Sequence, residues 1–304
     1  MTADRHHPVA VIVPCYNDGA TLPAAVSSAR VQHPAELVVV DDGSTDPATL
    51  AVLDDLEADG VTVVHRPNGG LAAARMSGVS ATTSPYIVPL DADDELAAGA
   101  LDALTGEMLA DPDLAVVYGD LELFGTMTGR RYGGAWDAWS ICHVNRIPGG
   151  GALIRRRALL DAGGWVLEHG YEDWDLWMGL LERGERAVHI EQVTYRYRQG
   201  EGRMLADCRD RHEELADRLR RRHPDLYRRR RRLWRRSAAP LHARILLPVI
   251  DRLPVGATTR HRLAVAAYDP GAAVRARRSR LTGPDHPTRR PPPSDEPVGG
   301  SRAR

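Results

Sequence analysis

The chain contains no lysine, so its forty strongly basic side chains are all arginine. Schiff-base chemistry, an amine nucleophile and a P-loop lysine are thereby excluded. Any cation that grips a phosphate must be an arginine or a metal ion. Cysteine is nearly as scarce: Cys15, Cys142 and Cys208 are too widely separated for a disulfide framework or a metal-ligand spacing, which fits a reducing compartment. The opening MTADRHHPVAVIVPCYN lacks a basic segment followed by a long apolar run, so no secretory signal is expected. No stretch approaches about twenty uninterrupted apolar residues, so no transmembrane helix is expected, and the expected location is cytoplasmic.

What is present is ordinary in bulk and uneven in distribution. With 43% hydrophobic and 27% charged residues, 304 residues can build one sizeable α/β domain and an appendage. The formal net charge of −1 hides a split, because acids dominate to about residue 200 and arginines crowd the remainder of the chain.

Val9 to Val13, Glu36 to Val40, Val61 to His65 and Tyr86 to Leu90 are short apolar runs that read as buried strands. Helices are expected between them, from Thr21 (as N-cap) to Arg30, from Pro47 or Ala48 to Asp59, and from Leu71 to Ser80. The alternation predicts an α/β fold with a parallel sheet covered by helices on both faces. Ligands of such sheets bind beyond the carboxyl ends of the strands. Four polar clusters fall there: the turn after Val13, the Asp41-Asp42 pair, the Gly69-Gly70 turn and the acids of YIVPLDADDEL.

That last cluster is the densest. Asp91, Asp93 and Asp94 are three acids in four residues at the end of a buried strand, which is unfavourable without a cation or a set of donors. Asp91 and Asp93 leave the same side of an extended chain, and two hard oxygens suit Mg²⁺ or Mn²⁺. The alternative is an acidic loop capping a helix that starts near Glu95.

The strings VIVPCYNDGATLPAAVSSA, VVVDDGSTD, NGGLAAARMSGV and YIVPLDADDEL resemble the GT-A nucleotide-diphospho-sugar glycosyltransferases of family 2 over roughly residues 8 to 200. The resemblance implies a GT-A type, Rossmann-like, mostly parallel sheet flanked by helices. By similarity, Pro14, Tyr16 and Asp42 would hold the nucleotide's base and ribose, with Asn17 a further nucleotide-sugar-binding residue. Gly70 and Arg75 would lie by the diphosphate, Asp91 near ribose and diphosphate, and Asp93 would be the principal ligand of Mn²⁺ or Mg²⁺, with Asp91 beside it. The physical chemistry agrees: a ring stacks, an acid accepts from a base N–H or a hydroxyl, and a guanidinium forks onto phosphate.

Beyond Asp94 a helix is expected from Ala97 to Ala110, strands at Leu114 to Tyr118 and Leu121 to Phe124, and a loop from Gly125 to Arg146. Ile147 to Arg155 reads as a strand entered through a glycine turn. Gly149, Gly150 and Gly151 mark either a bulge or room for a sugar, and the second is favoured. A helix opens in GYEDWDLW and runs to Arg183. Acids suit a helix start, yet interleaved aromatics suggest a desolvated carboxylate. The family carries an acid pair at this place whose second member is the catalytic base. The resemblance therefore implies Asp173 as base, Glu172 beside it on the acceptor side, and Asp175 as a structural or acceptor-binding group.

Strands are expected at Val188 to Ile190 and Val193 to Arg198. QGEGR follows, without the QxxRW signature of processive members, which implies addition of a single sugar; Arg203 is a further candidate for the diphosphate. Residues 1–204 would form the transferase domain (8–95 the nucleotide half, 96–204 the acceptor half), 205–268 a basic helical extension and 269–304 a disordered tail. Arg228 to Arg232 beside the apolar stripe of Ala238 to Val255 suits either an anionic membrane surface at the inner face or packing on the domain or a second subunit. The expected donor is a UDP-, GDP- or dTDP-sugar and the acceptor a glycan or lipid-linked hydroxyl. No nucleic-acid reading module accompanies the arginines. A non-catalytic sugar-nucleotide-binding protein would lack the Glu172-Asp173 pair, and a nucleotidyltransferase would carry a glycine-rich basic loop after its first strand.

Overall fold

The structure, a computed structural model, describes residues 6–168, 170–200 and 211–268. Arg203 and the tail from 269 onward lie outside the described residues.

Four parallel strands build the N-terminal half: β1 (His7–Cys15), β2 (Pro34–Asp41), β3 (Thr62–His65) and β4 (Tyr86–Pro89), side by side in the order β3-β2-β1-β4. They are linked by α1 (Leu22–Arg30), α2 (Pro47–Ala58) and α3 (Leu71–Ser80). Strand side chains alternate between two faces, so β1 feeds two cores. Val9, Val11 and Val13 pack with Leu22 and Val26 of α1 and Leu53 of α2, while Ile12 packs with Ala72, Ala74 and Val79 of α3. Thr21 takes the N-cap place of α1, but its hydroxyl donates to the Asp18 carbonyl at 3.2 Å instead of capping. Pro47 starts α2, where Asp46 accepts from the Thr49 amide at 3.0 Å.

The second half departs from the alternation. β8 (Leu153–Arg155) is inserted antiparallel between β4 and β6 (Leu114–Gly125). β9 (Arg186–Gln199) runs parallel to β6 on its far side, and β5 (Glu95–Leu96) pairs antiparallel with β9. β7 (Gly129–Arg131) folds back on β6. Residues after Asp94 thus form a strand and not a helix start, and α4 begins later, at Ala100–Ala110. The two strand pairs expected at 114–124 and 188–198 are each one long strand, interrupted in register near Tyr118 and Asp120. Of the strand expected at Ile147 to Arg155, only the last three residues pair.

After α5 (Arg156–Asp161) and α6 (Glu172–Glu182), the extension forms α7 (His212–Arg222), α8 (Pro224–Arg236), α9 (Leu241–Ile250) and α10 (Ala257–Tyr268). Pro224 separates α7 from α8, because a proline disfavours helical geometry in the residue before it. Leu219 and Leu226 join the core around Trp174 and Trp177 of α6. Ala243 and Leu247 pack with Ala264 and Tyr268 on Trp139 and Val144. No helix among the described residues is long and apolar enough to cross a membrane.

Candidate active site

The carboxyl ends of β1 to β4 gather the first set of residues. Asp42, just past β2, is buried and accepts from the amides of Gly69 at 3.0 Å and Gly70 at 2.7 Å, and it pairs with Arg66. It therefore ties the loop after β3 to β2. Gly70 heads α3 with φ +85° and ψ 167°, a conformation open essentially to glycine alone. Asn17 has φ +59°, and its side-chain oxygen accepts from the amides of Thr45 at 2.8 Å and Asp46 at 2.9 Å. It ties the loop after β1 to the loop after β2. The acceptor oxygens of Asn17 and Asp42 are thus engaged by the protein and shape the rim. Pro14 is buried in β1, while Tyr16 is 47% exposed and presents its ring at that rim.

The second set is joined by one arginine. Arg75, in the second turn of α3, is buried; it donates to Asp91 at 2.6 Å and to Glu172 at 2.9 Å. Burial opposes its charge, but Asp91 and Glu172 override burial and raise its pKa. An acid just past β4 and an acid some eighty residues further on share one guanidinium, whose carbon lies 5.7 Å from the centre of the Trp165 ring. The Nε of Arg75 is buried and has no partner among the described residues.

The acids of the triplet differ in surroundings. Asp94 is buried, accepting from the Tyr195 hydroxyl at 2.7 Å and the Arg198 amide at 2.7 Å. Burial, then the charges of Asp91 and Asp93, push it up to about 8. It anchors β9 to the strand-end loop. Asp93 is exposed, yet the surrounding protein withholds enough water from its carboxyl that this, followed by the charges of Asp91 and Asp18, pushes it up to about 6. Three carboxyls that repel one another beside an arginine are a hard-oxygen environment. Among the described residues no three metal-ligating side chains converge, so an ion here would rely on one or two carboxylates and on phosphate or water oxygens, the habit of Mg²⁺ and Mn²⁺. Asp91 and Asp93 fit that demand.

Asp173 follows Glu172 at the head of α6, after Tyr171, which is held at φ +62°. Its carboxylate accepts from the Trp174 amide at 2.7 Å and the Asn145 side chain at 3.1 Å. Burial and the Glu172 charge push it up to about 7; Trp174 and Arg75 pull the other way, and Asp91 adds to the rise. Asp173 therefore lies within electrostatic reach of Arg75 and Asp91. The glycine turn lies against it: a Cβ on Gly149 would meet the Asp173 carboxylate, and one on Gly150 or Gly151 would meet the Tyr195 ring. The near neighbours that these glycines admit are thus protein side chains.

Asp175 stands apart from this cluster. It is buried against the extension, accepting from Arg222 at 2.6 Å and His223 at 2.9 Å. Sequence reasoning missed Tyr195, which joins Asp94 to the Asp91 amide (3.3 Å) and fills the glycine turn. The available signal was the alternation of VTYRYRQ, which puts Tyr195 and Tyr197 on one face.

Residues 10–159 match the glycosyl transferase family 2 model. A hyaluronan synthase of Pasteurella multocida is 31% identical over 202 residues, 62% of this chain and 20% of that protein. An uncharacterized glycosyltransferase of Mycobacterium tuberculosis is 31% identical over 210 residues, 63% of this chain and 87% of that protein. Several other curated relatives are far longer, and the chain spans about a fifth to two fifths of their length. The crystal structure of S. aureus TarS 1-349 in complex with UDP-GlcNAc superposes with a TM-score of 0.54 at 16% identity, covering 86% of this chain and 71% of that one. The curled, largely parallel sheet between helices is the GT-A arrangement, and the chain belongs to glycosyl transferase family 2.

Proposed function

We propose that the protein transfers one sugar at a time from a nucleotide-diphospho-sugar to an acceptor hydroxyl, inverting the anomeric carbon. The observation that carries this reading is the Arg75 bridge, which joins the donor-side Asp91 to Glu172, the neighbour of Asp173. Asp173 would take the acceptor's proton while the acceptor oxygen bonds to the anomeric carbon. The sugar–phosphate bond would break with its electron pair leaving on the nucleoside diphosphate. A base raised to about 7 is suited to this at neutral pH. The Arg75 guanidinium would meet the leaving group's growing negative charge. When bound through Asp91 and Asp93, Mn²⁺ or Mg²⁺ supplies further positive charge to the diphosphate.

TarS was crystallised with UDP and UDP-GlcNAc, which supports a nucleotide-sugar donor; hyaluronan synthase, by its name, supports a glycan acceptor, with a lipid-linked hydroxyl as the other acceptor class. The test is one calorimetric and kinetic series with UDP-, GDP- and dTDP-sugars, with and without Mn²⁺. Asp173→Asn should bind donor as wild type while transfer falls by about 10²–10⁴-fold. Asp93→Ala should lose the Mn²⁺-dependent part of donor affinity. Retained transfer in the first variant, or unchanged affinity in the second, would refute the assigned role.

A further inference from the structure

Among the described residues, the extension leaves one apolar face bare. On α9, Ala243 and Leu247 point into the core around Trp139, whereas Leu241, Ile245, Leu246 and Val249 are 67%, 56%, 44% and 54% exposed. Positions 241, 245 and 249 are four apart, so they form one stripe along the helix.

α8 lies antiparallel against this helix. Arg230 pairs with Asp251 at 2.9 Å, and one turn later the Trp234 indole N–H donates to the Arg244 carbonyl at 2.9 Å. The Arg244 guanidinium stacks 4.8 Å from the Trp234 ring centre. α8 carries Arg228, Arg229, Arg231, Arg232, Arg235 and Arg236 on exposed positions, with Asp225 as its only acid. A dense positive edge therefore borders an exposed apolar stripe, with half-exposed Trp234 at their junction.

We propose that α8 and α9 form a docking surface for an anionic lipid bilayer, with the α9 stripe at the acyl boundary and the α8 arginines among the headgroups. Charge selects this occupant. A second copy docking on this face would bring two arginine-rich edges into one interface, with Asp225 as the only acid that each α8 offers to offset them. A nucleic acid would satisfy the arginines but leave the stripe in water. α9 has ten residues, roughly 15 Å at 1.5 Å per residue, about half a hydrocarbon core, so it would lie in the interface plane and not across it.

The full chain is sedimented with vesicles of phosphatidylcholine alone or mixed equally with phosphatidylglycerol, at low and high salt. Binding is expected to the mixed vesicles at low salt, with release at high salt. Each arginine at an anionic surface is worth about fivefold in partitioning, so Arg231→Glu/Arg232→Glu/Arg235→Glu should lower binding by about a hundredfold or more. Leu241→Ser/Ile245→Ser/Val249→Ser should lose binding at low salt while keeping the wild-type melting curve, since all three side chains face solvent. No binding to mixed vesicles overturns the proposal. So does equal binding of the serine variant, which would mark a plain polyanion site, or a dimer abolished by the serine substitutions without vesicle binding. Donor titration on the same preparations keeps the two readings separate: lost vesicle binding with intact donor affinity removes only the surface.

Discussion

Withdrawal from water and the adjacent Glu172 charge lift the Asp173 carboxyl to about 7, against the pull of the Trp174 amide and Arg75. In the proposed role of base Asp173 works only when ionised, so transfer should fall as pH drops below that value. Glu172→Gln removes a raising charge and should move the acid limb of the kcat/KM profile to lower pH. A pH–rate series checks this, and an unmoved or higher limb would contradict it. Most of these residues are readable from sequence because their chemistry is local: acids at strand ends, an arginine in the second turn of a helix, an acid pair among aromatics. Tyr195 and Asp94 are not. Their hydroxyl–carboxylate bond joins positions about a hundred residues apart, and neither residue type announces such a partner. The glycine turn reads as a bulge or as room for a sugar; among the described residues its near neighbours are Tyr195 and Asp173, which the sequence does not announce.

α6 serves two neighbourhoods. Glu172 and Asp173 belong to the cluster, while Asp175 is clasped by Arg222 and His223, and His223 also reaches Glu182 at 2.9 Å. Burial by itself would raise Asp175, but His223 and Arg222 hold it below the usual carboxylate range. Burial would likewise lower His223, yet Asp175 and Glu182 raise it. The signs set a window. The histidine's contribution to stability is full below about pH 6.5 and fades as pH rises through its elevated folded value; that of Asp175 is present above about pH 4 and fades in acid. Asp175→Asn should destabilise the protein by about 3 kcal/mol, as expected when a buried pair loses one partner, and should flatten the pH dependence on both sides. Thermal melts across pH measure both effects, and an unchanged melting temperature at neutral pH would refute the clasp. Helices and N-terminal strands are legible from periodicity. β6 and β9 read as broken because irregular register near Tyr118 and Asp120 interrupts the alternation without ending the strand.

At the scale of the molecule, the parallel half is legible because its four strands alternate with three helices. The antiparallel insertion of β8 between β4 and β6 is not, since a three-residue strand bears no mark of its partners. Nor does the sequence reveal how deeply the extension is built in. Leu219 and Leu226 share a core with Trp174 and Trp177, while Ala243 and Leu247 cover Trp139. A chain ending at residue 204 should therefore expose a tryptophan-rich surface and be recovered insoluble or without a cooperative melt. A soluble fragment melting at the temperature of the full chain would show the extension to be dispensable.

Arg75 places a two-armed hinge where the halves of the cleft meet. An incoming group that draws one arm away weakens its grip on the opposite acid in the same movement. Under the proposed function, occupancy on one side would be sensed on the other across the width of a guanidinium, with no subunit rotation or domain closure needed to carry the message.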